Sequence, residues 1–297
     1  MVKKMFKLKD HITIIQNFVC TNKARLDMLL GQIPDMAKAF GDAKFIVNYN
    51  TEKNLEIIKK CYKDNVKNLE FHNDLTKDWG KTMLNLLKNC ETERVAYFCE
   101  DFEYLNKHER WKNIFEEVVE KDVNFLVFSK IEKYAKREEY VKNYEHGENI
   151  YLYNSKSSPS EVLSVDAMYK KDFLIERLNE YVNCVSDKSP VAYEKYYKGK
   201  QGIRRFDMSC AIPKEVVALS YNPDGQREGV EEATSWRLLQ VIKDYNFNVE
   251  PQQQSWQLDF MPQEHSVPWA AEQKAALEQI EARHDLLRKK NNAGEQG

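Results

Sequence analysis

Three carboxylates arrive together at the end of an apolar run, in Val95-Ala-Tyr-Phe-Cys99-Glu100-Asp101-Phe102-Glu103. Carboxylates are hard oxygen donors. Asp101 and Glu103 stand two apart, so in an extended segment they share a side and can both reach one divalent cation, Mg2+ or Mn2+. A cation held this way keeps coordination positions open for phosphate oxygens. A solvated acidic turn, with Glu100 or Asp101 capping a following helix, uses the same residues, but their place at a strand end favours the first reading.

Three further groups stand where apolar runs stop. The stretch Cys20-Thr21-Asn22-Lys23-Ala24-Arg25 lacks the glycine-rich cradle of a dinucleotide fold or a P-loop. Its Thr21, Asn22 and Arg25 can bond a nucleobase or ribose edge, although capping of a helix explains Thr21 or Asn22 equally well. Asn48 and Asn50 flank Tyr49 and can read uracil or ribose, or simply form a turn. The segment from Asn73 to Lys81 places Lys77, the aromatic plate Trp79 and the flexible Gly80 just ahead of a helix. Lysines and a helix N-terminus suit a diphosphate, and an ordinary surface loop is the alternative. The histidines lack metal-ligand spacing and no nucleophile elbow occurs, which argues against a serine hydrolase.

These groups need elements that deliver them to one place. Apolar runs at 12–19, 44–49, 68–72, 94–99 and 123–128 read as strands. Between them, 26–40, 54–63, 81–90 and 108–120 carry apolar residues at helical spacing, for example Trp111, Ile114, Phe115 and Val118. Thr51 is placed to cap the second helix. Strands alternating with helices at these lengths predict βαβ units and a parallel sheet, whose ligands sit at the carboxyl ends of the strands. Strands at 150–153, 162–169 and 216–220 and helices at 171–181 and 191–197 are expected beyond.

Composition narrows the class. The 297 residues are 42% hydrophobic and 12% aromatic, which excludes a wholly disordered chain. A net charge of −2 offers no general basic field for a nucleic-acid backbone. The six cysteines form no CxxC pair and read as free thiols in a reducing compartment. The basic start is followed by an apolar run too short for a signal peptide or a membrane span, so a soluble cytoplasmic protein is expected. All 16 tyrosines lie at or before Tyr245, after which the chain turns glutamine-rich. That shift marks 226–297 as a C-terminal extension: an irregular stretch with Trp256, Phe260 and Trp269, then a helix striped by Leu277, Ile280, His284 and Leu287. The stripe suits self-association into a homo-oligomer, or docking on the rest of the chain.

Taken together, the loops resemble those of GT-A fold glycosyltransferases, in particular the family-2-type group. The likeness covers about 12–220 and is strongest to 130, with Asp101-Phe102-Glu103 in the place of that family's DxD element and Asn48/Asn50 where an aspartate is common. The resemblance implies an α/β, GT-A-like fold, a Rossmann-like nucleotide-binding sheet with helices on both faces, over 1–225. Residues 1–130 would form the nucleotide-sugar half and 131–225 the acceptor half. It implies transfer of a sugar from a UDP- or GDP-linked donor to a hydroxyl of a surface glycan or related carbohydrate. Thr21, Asn22, Arg25, Asn48, Asn50, Lys77, Trp79, Gly80, Glu100 and Asp101 would hold the nucleotide, and Asp101 and Glu103 a Mn2+ or Mg2+ ion. The catalytic base it implies is Glu194 or, as the rival, Asp166. A sugar nucleotidyltransferase and a non-catalytic carbohydrate-binding scaffold stand as alternatives.

Overall fold

A computed structural model describes residues 6–20, 23–100, 102–104, 108–128, 142–157, 166–199, 205–214 and 217–220. The extension at 226–297, with its expected helix, lies outside these residues. The chain begins with strand β1 (Ile12–Phe18) and helix α1 (Lys23–Phe40), then β2 (Lys44–Tyr49), α2 (Leu55–Asn65), β3 (Leu69–His72), α3 (Trp79–Lys88) and β4 (Arg94–Tyr97). A short strand β5 (Phe102–Tyr104), helix α4 (His108–Glu120) and β6 (Phe125–Val127) follow. Beyond them come β7 (Glu145–His146), β8 (Ile150–Asn154), β9 (Ala167–Lys170), α5 (Lys171–Cys184), α6 (Pro190–Gly199), β10 (Ser209–Pro213) and β11 (Ala218–Ser220).

Nine strands form one sheet in the order β3-β2-β1-β4-β9-β6-β10-β8-β7, and β5 pairs with β11 apart from it. All seven residues of β1 are buried, as expected for a strand covered on both faces. Alternate side chains go to opposite cores. Ile12, Ile14 and Phe18 join residues of α1, α2 and α4 in one cluster, which is centred on Phe40, Trp111 and Phe115. Ile15 joins residues of α3, α5 and α6 in the other, with Trp79, Tyr181, Tyr193 and Tyr197. The expected α/β sheet with helices on both faces is therefore present.

One expectation holds with an addition and one needs correction. The strands β1, β2, β3 and β4 run parallel as expected, but the sheet as a whole is mixed, because β9 runs antiparallel between β4 and β6, with Ala167 opposite both Tyr97 and Val127. Thr51 does not cap α2. Its hydroxyl accepts from the Lys53 N–H at 3.2 Å, and the N-cap position is held by Asn54, which sits in the left-handed region at φ 62° without a side-chain cap bond. None of the six cysteines forms a disulfide, and four of them are buried. No described helix is long and apolar enough to cross a membrane.

Candidate functional site

The chain steps outward from β1 to β2 to β3, then crosses back to lay β4 on the other side of β1. A doubly wound sheet opens a crevice where its strand order reverses, outside the carboxyl ends of the strands. Here that point lies between β1 and β4, whose backbones are joined from Phe98 N–H to the Ile15 carbonyl at 3.1 Å. The segments at that point are 17–20, at the end of β1, and 98–100, after β4. Asp166 arrives at the same edge from the other direction, because it precedes Ala167, the partner of the last residues of β4 and β6.

Buried amides knit this edge. Asn17 and Asn48 are paired in register across β1 and β2 and point to the same face. Asn48 is fully buried. Its Nδ2 donates to Asn17 Oδ1 at 3.0 Å, to the Asn50 side-chain oxygen and to the Asp74 carbonyl at 3.3 Å. Its Oδ1 accepts from the Asp74 N–H at 2.8 Å. Asn73 ties the same loop to the end of β2 by donating to the Tyr49 carbonyl at 2.6 Å. The loop after β3 then turns about Asp74, whose carboxylate accepts from Thr76 N–H at 2.9 Å; the Thr76 contacts hold its pKa below the usual carboxylate value. Beneath the amides, Trp79 Nε1 donates to the Tyr97 hydroxyl at 3.2 Å, and that hydroxyl donates to the Asn17 carbonyl at 2.8 Å.

The structure thus brings Asn48, Asn50, Glu100 and Asp166 to one edge of the sheet. Glu100 sits in the turn after β4, partly buried. The Tyr62 phenol is raised well above its ordinary pKa, first by burial, with the Glu100 carboxylate among the charges that add to it. Asp166 is 1% exposed, and its carbonyl accepts from Phe128 N–H at 3.5 Å. Glu194 stands elsewhere. It is half-buried one turn into α6, and its charge is felt by Tyr169 and Tyr193. Tyr169 pairs with Val95 and Phe125, back from the carboxyl ends.

The loop before α3 divides in its roles. Lys77 is exposed ahead of the helix, whose N-cap is Asp78, accepting from Lys81 N–H at 3.0 Å. Trp79 is 6% exposed and packs edge-on against Tyr97 and Tyr181. A side chain at Gly80 would come within 2.7 Å of Val182 and 3.0 Å of the Tyr181 ring, so the glycine lets α3 approach α5 closely. Helix packing is what the structure assigns to Trp79 and Gly80. Thr21, Asn22 and Asp101 lie outside the described residues, as do the side chains of Arg25 and Glu103. The Glu103 backbone belongs to β5, opposite Leu219 of β11. Among the described residues no cluster of three His, Cys, Asp or Glu side chains is placed to hold a metal.

Sequence reasoning passed over Asn17 and Asp74. Asn17 ends a polar pair, Gln16-Asn17, inside a strand whose other residues are apolar apart from Thr13. A polar pair inside a doubly covered strand is the one signal that could have found it.

No protein-family profile and no curated protein matches the chain. Among solved structures it is similar to Staphylococcus aureus TarS, at 14% identity with a TM-score of 0.47, over 92% of this chain and 43% of that one. It therefore spans less than half the length of that protein. Residues 1–349 of S. aureus TarS in complex with UDP-GlcNAc align at 13% identity and TM-score 0.46, over 80% and 68% of the two chains. A cytidylyltransferase from Leptospira borgpetersenii serovar Hardjo-bovis aligns at 8% and 0.39, over 64% and 71%. Likeness of this degree assigns neither family nor activity.

Proposed function

We propose that the protein is a glycosyltransferase that takes a sugar from a nucleotide-sugar, UDP- or GDP-linked, and passes it to a hydroxyl of a carbohydrate acceptor. The observation that carries the reading is the convergence at the β1/β4 crevice of buried amides from β1 and β2 with carboxylates from two directions, Glu100 after β4 and Asp166 before β9. Amides suit the edges of a base and ribose, and a carboxylate suits a proton leaving a hydroxyl.

In this reading the acceptor oxygen attacks the anomeric carbon as the bond from that carbon to the phosphate oxygen breaks. The electron pair leaves with the nucleoside diphosphate, and the acceptor proton passes to a carboxylate. Asp166 is assigned that role over Glu194, because it stands at the strand ends where the donor would lie. Thr21, Asn22, Arg25, Asn48, Asn50 and Glu100 would line the nucleotide pocket, with Lys77 at its rim. Asp101 and Glu103 would hold a Mn2+ or Mg2+ ion, which when bound neutralises charge on the departing diphosphate.

Calorimetric titration with UDP, GDP and their sugar derivatives, with and without Mn2+, tests the reading. Saturable binding followed by release of nucleoside diphosphate is expected. A protein that binds none of them is not this enzyme. Release of pyrophosphate from a nucleoside triphosphate and a sugar phosphate would assign it instead to the nucleotidyltransferases.

A further inference from the structure

We infer that Asn17 reads the base of the bound nucleotide, donating through Nδ2 to the keto oxygen at O4 of uracil or O6 of guanine, and that Asn48 is the residue that positions it. This rests on the nucleotide-site reading above and adds a specificity determinant to it.

The two amides are equally hidden and differently used. Asn48 has both ends of its side chain engaged, with Asn17, Asn50 and both backbone groups of Asp74. It has nothing left with which to recognise a ligand. Asn17 is 4% exposed, and its Oδ1 is occupied by Asn48. Its Nδ2 is buried with no acceptor among the described residues. Buried donors are nearly always paired, and leaving one unpaired is costly, so the group needs an explanation. Its place supplies one. Asn17 is the penultimate residue of β1, at the point where the strand order reverses. Its backbone is pinned from below by the Trp79–Tyr97 chain, so the amide is held rather than free to seek another partner.

An N–H donor selects an acceptor. Uracil presents O4 and guanine O6 where cytosine presents an amino donor. The inferred ligand class is therefore a keto-base nucleotide, and cytidine nucleotides are disfavoured because their amino group would face a second donor.

The test is titration of the full chain with UDP, GDP and CDP in the wild type, Asn17→Asp, Asn17→Ser and Asn48→Asp. Asn17→Asp keeps the oxygen that Asn48 uses and replaces the donor with a second carboxyl oxygen; Asn17→Ser covers the case in which a buried carboxylate prevents folding. The wild type should bind UDP or GDP at least about tenfold more tightly than CDP, the two keto arms showing which base is taken. Both Asn17 variants should lose about tenfold for that nucleotide while CDP holds or gains. Asn48→Asp should shrink the same ratio, which a merely structural role would leave unmoved. A ratio equal in wild type and variants overturns the inference and leaves the proposed function standing. A wild type that binds none of the three overturns both.

Discussion

The two ends of the sheet carry polar residues of similar kind and handle them differently. At the amino end, Thr13 and Thr92 share a hydrogen bond at 2.8 Å. Ser209 donates to Asn124 at 2.8 Å. Arg94, 2% exposed, donates to the Val123 carbonyl and to Asp122 at 2.9 Å, and Lys170 reaches the same carboxylate at 2.7 Å. These charges hold Asp122 below the usual carboxylate range, the Lys170 hydrogen bond first among the causes. At the carboxyl end the amides of β1 and β2 are buried as deeply, yet Asn17 keeps a donor in reserve. A closed polar network adds stability and specifies one packing. An open one spends stability to hold a group ready for a ligand. On the reading proposed above, folding falls to one end and recognition to the other.

The sharpest way to break that division is at Asp166. Asp166→Asn keeps the shape but cannot take a proton, so sugar transfer should fall about 10²–10⁴-fold with donor affinity little changed. Glu194→Gln should leave turnover near the wild-type rate; if the two outcomes are exchanged, the base belongs to α6. At the other end, Arg94→Ala strands the Val123 carbonyl and empties a buried volume. Urea denaturation should show a loss of about 2–4 kcal/mol, with nucleotide affinity unchanged. A loss of affinity as large as the loss of stability would show that the ends are not independent.

A smaller effect concerns a third polar cluster, on α5. Burial alone would raise the Glu180 carboxyl, but hydrogen bonds from Arg205, at 2.7 Å, and Tyr196, at 2.9 Å, outweigh it and hold the pKa below the ordinary value. A carboxyl depressed in the folded state contributes stability above its unfolded pKa of about 4.3, and loses it as pH falls through the folded value. Arg205→Gln should cost about 1 kcal/mol near pH 7. Denaturation curves of variant and wild type should then converge below about pH 4. A gap that stays constant with pH would mean that Arg205 acts through its stacking on Tyr197 and Phe206 instead.

Much of the first half was legible because its signals are local. The helical spacing of Trp111, Ile114, Phe115 and Val118 marks the face of α4 that is buried, and the apolar run of β2 falls where the strand does. The direction of β9 was not legible. Whether a run of apolar residues lies parallel or antiparallel is decided by partners far along the chain, here Tyr97 and Val127. Gly80 shows a different limit. A glycine before a helix fits a phosphate loop and a close helix contact equally, and only the position of Tyr181 and Val182 distinguishes them. At the candidate site, the sequence singles out Asn48 and passes over its neighbour Asn17, whereas the fold engages both ends of the Asn48 amide. The amide that looks available in the sequence is the one the fold has used up.

The pairing of β5 with β11 also bears on how the chain assembles. Ser220 lies opposite Phe102, so that ladder closes across more than a hundred residues of chain. Closing a loop of that length costs entropy before any contact rewards it, whereas β1, β2 and β3 meet through short connections. The ladder that carries Glu103 therefore bears the larger loop-closure cost of the two. If the proposed function holds, a chain still being synthesised would have its amide edge in place before β5 gains its partner, and competence for chemistry would come late in folding.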